Sequence, residues 1–232
     1  MCPLLLLWDI DGTLLTCRTG VDALQRALLN RYGVIDDLSR VEMAGRTDTA
    51  IAEEIAASHP GHSVEPAGLL DAYLEEMEEM LPSRGGTVFP GVREILDWSH
   101  AHPEVHNALL TGNIEKGAHL KLRRFDLDGF FEFGAFGSDS SNRNDLGPVV
   151  LDRARARLKR DFSLDHTWVI GDTPRDIDCG RALGCRVLAV ATGNYPVETL
   201  GAADLAVRDL SDYQAVIRRI CPNGAGAPAP DS

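Results

Sequence analysis

The chain has 232 residues, 44% hydrophobic and 25% charged, with a formal net charge of −12 from 35 acidic and 23 basic residues. That length is enough to bury a real core, as one large domain or a domain carrying a subdomain. So acidic a surface disfavours nonspecific binding to nucleic acid or anionic membranes, but a few basic groups can still focus an anionic small substrate. The cysteines are Cys2, Cys17, Cys179, Cys185 and Cys221, an odd count with no CxxC pair. They read as reduced thiols of a cytoplasmic protein, not as a disulfide frame or a zinc site.

In chain order, the apolar run Pro3 to Trp8 comes first and is stopped by Asp9. It lacks a basic lead-in and is too short for a signal peptide or a membrane span, so the expectation is a soluble protein. A short, wholly apolar run followed by charge and glycine suits a strand buried on both faces of a parallel sheet. From about Thr16 to Arg84 the signals are helical only: Val21 to Tyr32, Thr47 to Ser58 and Pro66 to Leu81. Thr47 or Asp48 suits the N-cap of the second helix and Pro66 the first turn of the third. Leu15 to Gly20 and Ser83 to Gly86 read as linkers out and back. Glu75, Glu76, Glu78 and Glu79 read as a solvated helix face.

Beyond the insert, strands and helices alternate. Strand patterns are Val105 to Leu110, Phe133 to Phe136, Thr167 to Ile170, Arg186 to Val190 and Leu205 to Val207. Helical patterns are Gly91 to His100, Ile114 to Phe125, Leu146 to Arg160, Pro174 to Leu183 and Ser211 to Ile220. Alternation predicts an α/β fold, a doubly wound parallel sheet with helices on both faces and one inserted helical subdomain. The expected division is 1–15 and 86–221 for the core, 16–85 for the insert and 222–232 for a disordered tail.

In open α/β sheets ligands bind at the carboxyl ends of the strands, and four polar clusters sit there. Asp9-Ile10-Asp11-Gly12-Thr13 follows the first strand. Two carboxylates in a tight turn suit a hard cation, or a nucleophile with an acid/base partner. Thr111-Gly112-Asn113 follows the next strand and opens a helix, which makes an anion site or simply a helix cap. Gly171-Asp172-Thr173-Pro174-Arg175-Asp176 adds two more carboxylates, Asp172 and Asp176. Capping accounts for part of this cluster; metal ligation accounts for both acids. A phosphate site rich in carboxylates also needs a fixed positive charge, and Arg143 is the basic residue of the loop Ser138 to Asp145.

Together these motifs resemble those of the haloacid dehalogenase-like superfamily of phosphohydrolases. Asp9 to Thr13, Leu110 to Asn113 and Gly171 to Asp176 match in order and in placement after strands, and the likeness covers roughly residues 3 to 220. The resemblance implies a Rossmann-like core with an α-helical cap, similar to the phosphoglycolate phosphatase-like members. It implies that Asp9 attacks phosphorus and that Asp11 protonates the leaving oxygen and then activates water. It implies Mg²⁺ held by Asp9, the Asp11 carbonyl, Asp172 and Asp176, with Thr111 bonded to the transferred phosphoryl group. The third motif of the family is usually a lysine. Lys116, Lys121 and Lys159 are this chain's three lysines and none stands at that place, so Arg143 is the expected substitute. In the cap, Arg46 and Thr47 of Gly45-Arg46-Thr47-Asp48 are expected to meet the substrate; the alternative is a plain helix cap beside a solvated arginine.

The expected partner is a small phosphorylated metabolite, and the expected activity is phosphomonoester hydrolysis. Asp11 argues against dehalogenation, which does without the second aspartate. No lysine occurs between Met1 and Glu115, which argues against Schiff-base phosphonate cleavage from the cap. A sugar-phosphate mutase and a catalytically silent binding module are the remaining alternatives.

Overall fold

The computed structural model describes residues 3–17 and 19–222. The tail at 223–232 and Cys2 lie outside the described residues. Leu4–Trp8 forms β1, and all five of its side chains are buried. Leu4, Leu6 and Trp8 enter one apolar layer while Leu5 and Leu7 enter another, as the two-residue period of a strand requires.

Around β1 lie β4 (Val105–Leu110), β5 (Gly134–Ala135), β6 (Thr167–Gly171), β7 (Arg186–Val190) and β8 (Leu205–Val207) in the order β5-β4-β1-β6-β7-β8. Every pairing is parallel. Trp8 is level with Leu109 of β4 and with Ile170 of β6. Strand order reverses at β1, so the crevice beyond its carboxyl end is the switch point where ligands bind in such sheets. One face is covered by α4 (Val92–His100), α5 (Glu115–Arg124) and α8 (Tyr213–Ile220), the other by α6 (Leu146–Leu158) and α7 (Pro174–Leu183). The fifth strand is shorter than its pattern suggests, since only Gly134 and Ala135 pair with β4.

The insert folds as the expected helical cap: α1 (Thr19–Tyr32), α2 (Asp48–Ser58) and α3 (Pro66–Met80). Thr47 is the N-cap of α2, and Pro66 opens α3. Leu24, Leu28, Ile51, Ile55, Leu69 and Met77 build a separate apolar cluster, which takes in Ile114 from the core.

Two sequence expectations need correction. The presumed linkers pair with each other: β2 (Leu15–Cys17) and β3 (Gly86–Val88) form an antiparallel ribbon, because two short extended segments satisfy their backbone groups where the chain crosses twice. The acidic run on α3 is not solvated throughout. Glu76 forms an ion pair with Arg26 at 2.8 Å and accepts from Asn30 Nδ2 at 2.6 Å, which ties α3 to α1. Among the described residues no helix is long and apolar enough to cross a membrane.

Candidate active site

The first motif turns as soon as β1 ends. Backbone N–H groups of Thr13, Leu14 and Leu15 all donate to the Ile10 carbonyl, which winds the chain into a compact loop. Gly12 sits at φ +85°, and any Cβ there would collide with the Asp172 carboxylate. Glycine is therefore required twice, by dihedral and by contact.

This turn leaves Asp9 buried on the sheet axis. Ligand atoms of Asp9, Asp172 and Asp176 all lie within 4.8 Å of one another. Burial pushes the Asp9 carboxyl up to about 6, against the pull of Arg143 and with added repulsion from Asp176 and Asp11. Asp172 is pushed further, to about 8, by burial and then by Asp9 and Asp176. Among the described residues its one side-chain hydrogen bond comes from Thr13 Oγ1 at 3.3 Å. Such crowding of anionic oxygens costs free energy that a hard divalent cation offsets, and an all-oxygen donor set suits Mg²⁺. The residues present fit that ion.

Asp176 serves two structural purposes besides. Its Oδ2 accepts from the Thr173 N–H at 3.0 Å and from Thr173 Oγ1 at 2.6 Å, completing a capping box on α7. Its Oδ1 accepts from Arg143. Capping thus explains Asp176, and Asp172 is the acid left freest to bind a cation.

Arg143 is buried among these acids. Its Nη2 donates to Asp9 Oδ1 at 3.0 Å and also to Asp176, joining two of the three clustered carboxylates. Burial works against its charge, but Asp176 and Asp9 more than offset this and hold it protonated. Its Nε–H is buried with no acceptor among the described residues, a donor not used by the protein itself.

Asp11 is directed elsewhere. Its Oδ2 accepts from Asn113 Nδ2 at 2.8 Å and from Lys121 Nζ at 2.6 Å, so its carboxylate faces the cap side, outside the three-acid cluster. Thr111 is fully buried, and its Oγ1 accepts from Asn113 Nδ2 at 2.9 Å. Thr111 therefore props Asn113, and Asn113 props Asp11.

The cap contacts differ from their expected use. Arg46 turns its guanidinium onto the cap itself, toward Glu54 and the carbonyls of Glu42 and Ala50. The Thr47 hydroxyl accepts from the Ala50 N–H and donates to the Ser141 carbonyl at 2.7 Å. What meets the core is the backbone: the Asp48 N–H donates to the Gly112 carbonyl at 2.7 Å, and the Ile114 N–H donates to Asp48 Oδ2 at 2.9 Å. At Gly112 a Cβ would strike the Arg46 carbonyl, so this glycine admits the cap rather than a ligand.

Between cap and core lies a cavity of about 750 Å³. Its floor is Asp9, Asp172 and Arg143, its cap side includes Leu24, Met43, Ile51 and Tyr73, and Asp11, Asn113, Lys121 and Asp48 stand between. Burial pushes the Asp48 carboxyl up to about 6, moderated by Lys121 and by its bond from Ile114. Lys121 was not singled out in the sequence as a site residue, and Asp48 only as part of the cap turn at 45–48. A signal for Lys121 exists: it shares the buried face of α5 with Gly117, Ala118 and Leu122, and a lysine is rarely found there without a partner.

Fold and site together define an α/β enzyme with a helical cap, its aspartates gathered at a sheet switch point. The family model described as haloacid dehalogenase-like hydrolase matches residues 6–181, and the chain belongs to that family. A search among curated proteins found no match. Several solved structures share the fold. A hydrolase from Pseudomonas syringae is 19% identical with a TM-score of 0.71, over 94% of this chain and 99% of that one. A predicted phosphoglycolate phosphatase from Haemophilus somnus is 17% identical with a TM-score of 0.71, over 93% and 97%. CbbY from Rhodobacter sphaeroides, in complex with phosphate, is 15% identical with a TM-score of 0.70, over 90% and 96%.

Proposed function

We propose that this chain is a Mg²⁺-dependent phosphatase that hydrolyses a small phosphomonoester through an aspartyl-phosphate, as phosphoglycolate phosphatase-like members of its family would. The observation that carries this reading is the convergence of Asp9, Asp172 and Asp176 around one crevice, with Arg143 on Asp9 and Asp11 close by. Mg²⁺, when bound by Asp9, Asp172, Asp176 and the Asp11 carbonyl, would supply charge neutralisation for the phosphoryl oxygens.

The remaining chemistry belongs to the side chains. Asp9, at the cavity floor, attacks phosphorus through a carboxylate oxygen, and the ester oxygen departs on the opposite side. Asp11, on the cap side, donates a proton to that oxygen. Water then attacks the aspartyl-phosphate while Asp11 takes the proton back, which regenerates Asp9 and frees inorganic phosphate. Arg143 orients Asp9 and neutralises the transferred group, since phosphoryl transfer is largely positioning and charge compensation. Thr111, through Asn113, braces the second aspartate. Gly112 and Asn113 shape the wall beside the ester, while Arg46 stays paired with Glu54 on the cap. The cap, residues 16–85, closes the core, 1–15 and 86–221, over the ester and excludes water. Cys17, Cys179 and Cys185 are free thiols, which supports a cytoplasmic setting.

The test is phosphate release from a panel of metabolite phosphomonoesters with Mg²⁺, run beside Asp9→Asn. Steady release that vanishes in the variant and under chelation supports the reading. A bisphosphorylated sugar accumulating in place of phosphate would turn it toward a mutase, and no turnover of any ester would overturn it.

A further inference from the structure

A buried lysine that the mechanism above does not use lies beside its second aspartate. Lys121 Nζ is 2.6 Å from Asp11 Oδ2 and 2.6 Å from Asn113 Oδ1, and the side chain is only 4% exposed. Asn113 Nδ2 donates to the same Asp11 Oδ2 at 2.8 Å. Both bonds thus grip one oxygen of Asp11. The other, Oδ1, receives no hydrogen bond among the described residues, and Asp11 as a whole lines the cavity with its side chain 42% exposed. A carboxylate held by two donors on one oxygen cannot turn freely, and the free oxygen is presented in a set direction. Lys121 itself is fixed from α5, a rigid element, which places a group better than a loop does.

We propose that Lys121 is a positioning residue for Asp11: with Asn113 it pins Oδ2 and presents Oδ1 to the leaving oxygen of the substrate. This rests on the phosphatase reading with Asp11 as acid/base. The role is distinct from that of Arg143, which contacts Asp9 and Asp176. The two buried cations thus divide the two catalytic aspartates between them.

The prediction concerns substrates that differ in their need for a proton. An alkoxide leaves only with protonation, whereas 4-nitrophenolate leaves without it. Values of kcat/KM for propyl phosphate and 4-nitrophenyl phosphate are measured with Mg²⁺ on the full chain, for wild type, Lys121→Met, Asp11→Asn and the double variant. Lys121→Met is expected to lower kcat/KM for propyl phosphate by about 10²-fold, the low end for loss of general acid–base help, and to lower the 4-nitrophenyl value at least tenfold less. On the Asp11→Asn background the same change is expected to add less than about twofold, since it acts through a group already removed. Equal losses on both esters, no loss on either, or additive effects in the double variant would overturn the proposal. If Lys121→Met does not fold, Lys121→Gln, polar but one bond too short to hold Oδ2 as Nζ does, is held to the same ratio. Failure of the wild type to release phosphate from either ester would overturn the phosphatase reading itself, a result separable from all of these.

Discussion

At the floor of the cavity, charged side chains face one another at close range: Arg143 against Asp9 and Asp176, with Asp172 beside them. At the roof, the cap meets the core through backbone groups and hydroxyls, with Asp48, Thr47 and Thr49 bonded to the loops at 112–114 and 137–141. The floor is electrostatically costly and held by strand ends on a rigid sheet. The roof meets the core through one exposed ion pair among the described residues, Glu42 with Arg175 at 2.8 Å, and otherwise through hydrogen bonds that water can replace. This difference teaches where chemistry and selection reside. A group that must meet phosphorus in one geometry belongs on the floor, while a surface that must part for the substrate belongs on the roof.

The sharpest way to break this contrast is at Asp9. Asp9→Asn is expected to cut phosphate release by at least about 10³-fold while leaving the circular dichroism spectrum intact, as expected when a nucleophile is lost. Next comes Arg143→Ala, which strands Asp9 and Asp176 as buried anions. Stability measured by denaturant titration is expected to fall by about 3–5 kcal/mol, the usual cost of removing one partner of a buried pair, with partial recovery in Arg143→Lys. Activity is expected to disappear on chelation and to return with Mg²⁺. In Asp172→Asn the Mg²⁺ needed for half-maximal activity is expected to rise by more than the ~10-fold that loss of an outer-shell partner costs.

Roof changes should be smaller. The Asp48 carboxyl sits at about 6 in the folded chain, raised chiefly by burial, so the folded state binds its proton more tightly than the unfolded state does. Its contribution is present below about pH 4 and is lost as pH rises through about 6. Asp48→Asn is therefore expected to flatten this decline and to raise stability near pH 7 by about 1–2 kcal/mol, read from melting curves at several pH values. An Asp48→Asn variant that keeps the wild-type slope would place the titration elsewhere. Smallest of all is Arg46→Ala: its guanidinium is paired with Glu54, so KM is expected to change by less than about twofold, with stability lowered by no more than about 1 kcal/mol. A large rise in KM would show that Glu54 releases Arg46 to the substrate.

Much of the floor was legible because short-range grammar writes it. Asp9 and Asp172 each follow an apolar strand directly, Asp11 lies in the turn after the first and Asp176 in the helix after the second, and a strand end in a parallel sheet has one destination. Arg143 was legible by elimination within its loop. The roof was less so, since the partners of Thr47 and Asp48 on the core lie far along the chain, at Ser141 and Ile114. Lys121 shows the limit best. Its charge suggests a surface, its helical phase places it inside, and only the partner 110 residues away reconciles the two. The ribbon of β2 and β3 was missed for a similar reason: three-residue strands have no period to read, and each exists only because the other does.

The parallel register of β1 has a consequence of its own. Trp8 lies level with Leu109 on one side and Ile170 on the other, so along neighbouring rails Asp9 stands one residue beyond that level and Asp172 two. The sheet works as a ruler with a graduation of about 3.3 Å per residue. Deleting one residue from β1 would lower Asp9 by a step comparable to the 4.8 Å span of the carboxylate cluster, and would turn it to the opposite face. Strand length is thus itself a component of the site. It tolerates substitution of one apolar residue for another far better than the loss or gain of a single position.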